Sequence, residues 1–279
     1  MNKARVKSMK KFLAVAMILL MTAALAACGG DTKDSGSSDS SADAPKASGD
    51  VLIVGTEPTF PPFDTTDDNG DIVGFDMDLI KAIGKDQGFE VEFRNLEFDG
   101  LIPALTSGTI DIVAAGMDAS PERAEQVDFS DSYYEASLIV AVAADNDTIT
   151  GVDSLTPDMK VAAQTGTTGA RLVQELKEQG KIGEAVILNG LDTAMLQLIN
   201  GDVQAVINDT PVTQAYISKQ EGKIKIVGDK IEADAPYAFA VQKGNSELLE
   251  KINAGLKKVQ EDGTYEELLT KWFSQAVGE

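Results

Sequence analysis

Three short stretches hold the residues best suited to chemistry on a small charged molecule. In "AAGMDASPER", Ala114 to Arg123, an apolar run ends at Gly116, Asp118 follows, and "SPER" has the pattern of a helix start. Arg123 offers a planar fork of donors and a charge that pH does not remove, which suits two parallel bonds to a carboxylate. "AAQTGTTGARLV", 162–173, ends a strand pattern, turns on Gly166 and starts a helix near Thr168. Its backbone N–H groups and hydroxyls suit an anion. Asp118 and Asp209, the latter in "NDTP", supply carboxylates for an ammonium. The three features converge on one small zwitterion. Plainer alternatives exist for each: Arg123 as a surface residue after a Ser120 cap with Pro121 at the first helical position, and Asp209 as a helix cap alone.

Much other chemistry is excluded. The chain has no histidine and one cysteine, Cys28, so His-based acid–base catalysis, thiol nucleophiles and His/Cys metal sites are absent. The glycine turn at 166 lacks the lysine of a phosphate-binding loop, which disfavours a nucleotide. "TTDDNGD", 65–71, has Thr65 where a calcium loop needs its first ligand, and "NG" marks a hairpin turn instead. No metal and no cofactor are expected. Formal net charge is −21, and removing the five basic residues of the first 27 leaves 19 basic against 45 acidic, or −26. Nucleic acid is not a partner for such a surface.

The elements that must position these residues follow from periodicity. Short β-branched runs at 51–56, 91–98, 111–117, 137–144, 160–166, 184–189, 203–209, 223–229 and 237–243 alternate with helical patterns near 75–86, 99–107, 168–179, 192–200 and 210–220. A long helical region spans about 245–273, with Leu248, Leu249, Ile252, Leu256 and Val259 on one face. This alternation predicts an α/β fold with mainly parallel sheets, and the units after residue 136 look complete enough for a second sheet. Ligands in such folds bind beyond the carboxyl ends of strands. Gly116–Asp118, Thr165–Thr168 and Asn208–Asp209 all fall at such ends.

The first fifty residues give an address. Lys3, Arg5, Lys7, Lys10 and Lys11 precede "FLAVAMILLMTAALAA", which ends in small residues just before Cys28. That is a signal peptide over 1–27, too short for a convincing membrane span. "LAAC" resembles a bacterial lipoprotein signal, which implies an acylated Cys28 as the mature N-terminus, a plain secretory signal being the alternative. Residues 28–50, rich in Gly, Ser and Asp, read as a solvated linker with a mean reach of about 25 Å. The protein is therefore expected outside the cytoplasmic membrane, held to it by lipid.

Several motifs carry a family resemblance in chain order over essentially all of 51–273. "GTEPTFPPF" (55–63), "GFDMDLIKAI" (74–83), "FDGLIPAL" (98–105), "GMDASPERAEQVDFSDSYY" (116–134), "QTGTTG" (164–169), "NDTP" (208–211) and "DGTYEELLTKWF" (262–273) closely resemble the polar amino-acid solute-binding proteins of ABC importers. The resemblance implies a type II periplasmic-binding-protein fold: two α/β lobes, 51–135 plus 236–279 and 136–235, joined by two hinge strands with the ligand in the cleft between them. It implies that Arg123 grips the ligand α-carboxylate, helped by the Asp118 N–H and the Thr167–Thr168 turn. Asp209 and the Gly116 carbonyl would hold the α-ammonium, and Phe60 and Phe98 would sandwich the side-chain stem. Gln164, in "QTGTTG", belongs to the same expected set. Asp118 departs from the Thr usual in glutamine binders and the Ser of several basic-residue binders, and looks like the form seen among arginine-binding members.

The resemblance implies a monomeric, non-enzymatic binding component that delivers a free L-amino acid to a permease and its ATPase. Two other classes compete. Cyclohexadienyl dehydratases resemble the family, though only Asp118, Asp209 or Glu57 could serve here as general acid; a sensor domain working through a membrane partner is the third. Counting charge, Arg123 against Asp118, Asp209 and Glu57 leaves the cleft at −2 if all ionise. A cationic side chain facing Glu57 balances that sum better than glutamine does, so arginine or lysine is favoured.

Overall fold

The computed structural model describes residues 50–135, 137–220, 222–232 and 235–274. Cys28, the leader 1–27 and the linker up to residue 49 lie outside the described residues.

The β-branched run "VLIVGT" forms β1 (Val51–Thr56), and a small hairpin follows, β2 (Thr65–Thr66) with β3 (Ile72–Val73). The hairpin turn is wider than "NG" alone implies. Asp67 organises it, with Oδ1 accepting from the N–H groups of Asn69 and Asp71, both at 2.9 Å. Next come α1 (Phe75–Gln87) and β4 (Glu90–Asn95), which pairs in parallel with β1 from Val51↔Glu90 to Thr56↔Asn95. Phe75, Leu79, Ile80 and Ile83 fall on one face of α1 and are fully buried. A 3-10 turn at Phe98–Gly100 ends what sequence suggested as strand to residue 98 and opens α2 (Leu101–Thr106).

The predicted strand at 111–117 is paired over only two residues, β5 (Ile112–Val113). Beyond it the backbone turns to other partners: Ala114 N–H donates to Gly55 O at 3.1 Å and Gly116 N–H to a carboxylate of Asp76 at 2.8 Å. Then come α3 (Pro121–Ala124), capped by Ser120 Oγ accepting from Arg123 N–H at 3.4 Å, and β6 (Val127–Phe129), too short to read from periodicity.

The chain next builds a second sheet from β7 (Ser137–Ala143), β8 (Lys160–Gln164), α4 (Thr168–Glu178), β9 (Glu184–Leu188), α5 (Leu191–Asn200), β10 (Ala205–Asp209), α6 (Thr210–Lys219) and β11 (Ile224–Glu232). It then returns as β12 (Ala240–Gln242), α7 (Ser246–Glu261) and α8 (Thr264–Phe273). The expected single helical region at 245–273 is two helices. Gly263, left-handed at φ 87°, breaks it, and Asp262 Oδ1, just before the break, accepts from Thr264 N–H at 3.1 Å.

The architecture is α/β with two lobes, each on a five-stranded sheet, in the orders β4-β1-β5-β12-β6 and β11-β7-β10-β8-β9. Both are mixed rather than mainly parallel. β12 runs antiparallel to β5 and β6, and β7 runs antiparallel to β10 and β11. The reason is the double crossing: β7 and β12, the strands by which the chain enters each sheet from the other, oppose the strands they pair with. The two crossing segments also pair with each other, antiparallel at Tyr134↔Tyr237.

An aromatic block packs where the segments cross. Phe63 meets Tyr134 and Tyr237 edge-on, each with ring centres 5.0 Å apart, and Phe273 of α8 stacks on Tyr134 at 5.2 Å. Such pairs add about 0.5–1.5 kcal/mol each beyond their burial. Among the described residues no helix is long and apolar enough to cross a membrane.

Gly74 joins the hairpin to α1 at φ 150°, ψ 175°, a conformation essentially restricted to glycine. A Cβ there would lie 2.0 Å from Phe63 O. The expected result for Gly74→Ala is a loss of roughly 3 kcal/mol or more, visible as a Tm lower by on the order of 10 °C in thermal denaturation.

Candidate functional site

The three strand ends singled out in the sequence come together between the two sheets. Arg123, whose side chain is only 11% exposed, is the centre of the arrangement. Its Nη1 donates to Asp118 Oδ1 at 2.5 Å and to Asp118 O at 2.9 Å, and its Nη2 crosses to Gly166 O of the second lobe at 2.9 Å. The guanidinium lies over the Phe98 ring, 5.3 Å from its centre. The short helix that carries Arg123 is the one the Ser120–Pro121 cap predicts. That cap does not make Arg123 a surface residue; it aims the side chain inward.

Phe98, Met117, Ser120 and Arg123 from one lobe and Thr165, Thr167, Thr168 and Ile187 from the other line an open cleft of about 510 Å³. Thr167 caps α4, its Oγ1 accepting from Ala170 N–H at 3.1 Å while donating to Gln164 O at 2.7 Å. That hydroxyl is therefore engaged, contrary to the expectation that it faces an anion. The Thr168 hydroxyl is buried without a hydrogen-bond partner, as is Asp118 Oδ2.

Deeper in, Glu57 and Gln164 join the lobes. Gln164 Nε2 donates to Glu57 Oε2 at 2.8 Å and to Asn189 O at 3.0 Å. Burial pushes the Glu57 carboxyl up to about 7, against the downward pull of the bonds from Gln164 and Thr59, with Glu97 and Asp192 adding to the rise. A further link between the lobes is Tyr216 OH, which donates to Thr59 O at 2.9 Å.

Asp209 stands at the N-cap position of α6, yet its side chain makes no capping bond. It accepts instead from the Tyr237 hydroxyl on the returning segment. Burial pushes its carboxyl up to about 7; the Tyr237 bond opposes this, Asp118 raises it and Arg123 lowers it. Phe60 packs on Gly116 and beside Phe63 and Tyr237, with ring centres at 6.0 and 6.4 Å from the last two. Thr59, Asn189, Tyr216 and Tyr237 thus belong to the arrangement although sequence reasoning missed them. Tyr237 stood inside a strand pattern and Tyr216 inside a helix pattern, so neither had a local signal. Among the described residues no group of three or more His, Cys, Asp or Glu is placed to hold a metal ion.

The cleft itself presents the Arg123 guanidinium, the Phe98 ring and the unpartnered Thr168 hydroxyl, while Glu57, Phe60, Asp118, Gln164 and Asp209 are buried beside it and do not line it. A fixed cation with a free hydroxyl suits a small carboxylate-bearing molecule. Comparison with known proteins agrees in kind. Residues 52–275 match the family described as "Bacterial extracellular solute-binding proteins, family 3". The "ABC transporter arginine-binding protein 1" of Escherichia coli (strain K12) is 35% identical over 229 residues, 80% of this chain and 91% of the relative. A solved structure, "An ancestral arginine-binding protein bound to arginine", is 45% identical with a TM-score of 0.76, over 80% of this chain and 98% of that one. A second, "An ancestral arginine-binding protein bound to glutamine", is also 45% identical, with a TM-score of 0.75 over 80% of this chain and 97% of that one.

Gly116 is the tightest point of the arrangement. Its φ is +53°, and a Cβ would sit 2.7 Å from Phe60 Cε1. Gly116→Ala is expected to displace the Phe60 ring and cost roughly 1–3 kcal/mol of stability, measured by urea denaturation.

Proposed function

Because this chain belongs to the bacterial extracellular solute-binding proteins of family 3, we propose that it captures a polar L-amino acid outside the cytoplasmic membrane and delivers it, enclosed between the lobes, to an ABC permease and its ATPase. The observation that carries the reading is Arg123, ion-paired with Asp118 and bonded across the cleft to Gly166. The described bonds use three of the five donors of its fork, and the remaining two are for the ligand α-carboxylate. The Thr168 hydroxyl and the start of α4 assist. Asp209 and the Gly116 carbonyl take the α-ammonium, Phe60 and Phe98 hold the side-chain stem, and Glu57 with Gln164 meets the side-chain end. The lobes comprise 51–135 plus 236–279, and 136–235. A ligand that touches both favours closure by its differential affinity for the closed state.

The preferred ligand is a basic amino acid, arginine or lysine, ahead of glutamine. A full count of charges in the cleft gives −2, and the protein relieves it by raising Glu57 and Asp209 to about 7. An arginine or lysine side chain relieves it instead by pairing, and the protons leave. The sign follows: binding of arginine should release protons from both Glu57 and Asp209, so its affinity should fall as pH drops from 8 to 6, while glutamine, whose α-ammonium also meets Asp209 but whose amide leaves Glu57 protonated, should show a smaller fall.

Calorimetric titration with L-arginine, L-lysine and L-glutamine in buffers of different ionisation enthalpy tests this. Glu57→Gln should weaken arginine ten- to a hundredfold, a change of about 1.4–2.8 kcal/mol, and leave glutamine nearly unchanged. A protein that binds none of the three amino acids is not an amino-acid carrier of this kind. One that binds glutamine alone has its charges read wrongly.

The lipid anchor at Cys28 is the second part of the proposal. Two or more acyl chains on one residue give stable attachment where one gives only marginal binding. In membrane fractionation Cys28→Ser should shed the protein into the soluble fraction while amino-acid binding persists; a variant still held on membranes rules the anchor out.

A further inference from the structure

Two carboxylates behind the cleft are fully buried, and the ligand contacts proposed above use neither: Asp64 and Asp76. Asp64 serves the Phe60 side, its Oδ2 accepting from Thr56 Oγ1 at 2.7 Å and its Oδ1 from Phe60 N–H at 3.2 Å. Asp76 does something less local. It lies in the first turn of α1, where an acidic residue ordinarily faces solvent and complements the helix dipole. Here it reaches forty residues along the chain to Gly116, whose N–H donates to Oδ2 at 2.8 Å. The same oxygen accepts from Tyr133 OH at 2.7 Å. Its other oxygen, Oδ1, is buried without a hydrogen-bond partner.

Tyr133 is where the first crossing segment begins. Its N–H donates to Tyr237 O at 2.9 Å, Tyr237 N–H donates to Tyr134 O at 2.8 Å, and the Tyr237 hydroxyl donates to Asp209 of the second lobe. Asp76 thus stands between the left-handed turn at Gly116, from which Asp118 and Arg123 follow, and the two segments that connect the lobes. A buried carboxyl with an orphaned oxygen is costly, and a helix dipole alone does not offset it. We propose that Asp76 is a positioning residue that ties the cleft wall at Gly116 to the crossing segments through Tyr133, so that the ligand seat and the hinge are set together. This rests on the reading of the cleft as an amino-acid site.

Protonation supports the assignment. Burial pushes Asp76 up to about 7, against the bonds from Gly116 and Tyr133. Asp64 is raised well above its usual range by burial and then by Asp76, Tyr133 is raised by burial and by both aspartates, and Tyr265 of α8 lies beyond Tyr133. A carboxyl raised in the folded state binds its proton more tightly there than in the unfolded chain. Its contribution to stability therefore declines as pH rises from the unfolded value near 4 through about 7. In Asp76→Asn the amide oxygen can accept both bonds and carries no charge at any pH.

The test compares wild type with Asp76→Asn, Asp76→Ala and Tyr133→Phe, measuring Kd for L-arginine and L-glutamine by calorimetry and Tm from pH 5 to 8. Asp76→Asn should bind within about threefold of wild type and show a shallower fall of Tm with pH, Asp64, Glu57 and Asp209 keeping the rest of the slope. Asp76→Ala should bind at least tenfold more weakly while still folded at the temperature of measurement. Tyr133→Phe keeps the Gly116 bond but cuts the link to the crossing segment, and should weaken binding three- to tenfold. Should Asp76→Ala fail to fold, Tyr133→Phe decides. Lower Tm with unchanged Kd in Tyr133→Phe, or in a folded Asp76→Ala, reduces Asp76 to core packing and overturns the proposal, as does an Asp76→Asn variant that binds as poorly as Asp76→Ala. Wild type that binds neither amino acid overturns the reading of the cleft, and this inference with it; wild type that binds beside variants that bind equally well overturns the inference alone.

Discussion

A guanidinium taken almost out of water must be surrounded by acceptors, and Arg123 imposes that requirement on both lobes. Asp118 supplies a carboxylate and a backbone carbonyl from the same strand end, and Gly166 supplies a carbonyl from the opposite lobe. Removing one partner of a buried pair costs far more than the pair adds, so the elements that deliver these acceptors are constrained together. The Ser120 cap, the turn at Gly116 and the cap of α4 by Thr167 each fix one of them. Much of the local structure in the cleft serves to bring oxygens to one cation.

The second constraint is an excess of acid. Glu57, Asp64, Asp76 and Asp209 are all buried near the cleft, and burial raises every one of them. Hydrogen bonds from Gln164, Thr59, Thr56, Gly116, Tyr133 and Tyr237 pull the other way. Burial thus favours the protonated form of each carboxyl, and the hydrogen bonds favour the charged one.

The sequence was most legible where a local rule governs. The Ser120–Pro121 helix start, the Thr168 helix start, the strand ending at Asp209 and the hairpin near Asn69 all follow from caps, turns and periodicity, whereas the strand expected to run to Met117 pairs only over Ile112–Val113. Strand direction did not, because β12 and β7 run against their neighbours for a reason that lies in the double crossing and in no local pattern. Asp64 and Asp76 were equally hidden. Asp76 stood inside a helix pattern and Asp64 in no assigned element, and only the fold shows that both carboxylates are buried. The helix start near Thr168 was legible, but not that Thr167 caps it and spends its hydroxyl proton on the Gln164 carbonyl.

The crossing arrangement also orders how the protein is made. Strands β7 to β11 form one continuous stretch, so the second sheet depends on no strand from elsewhere in the chain. The first sheet is different, because β12 lies between β5 and β6 and pairs with both. Its middle stays open until residues 240–242 arrive, and the stack of Phe273 on Tyr134 waits longer still. Pairings this distant in sequence carry a large loop-closure entropy and form late. A nascent chain would therefore own a finished second lobe while the first still exposed the edges of β5 and β6, and in that interval those edges are where a wrong strand could add.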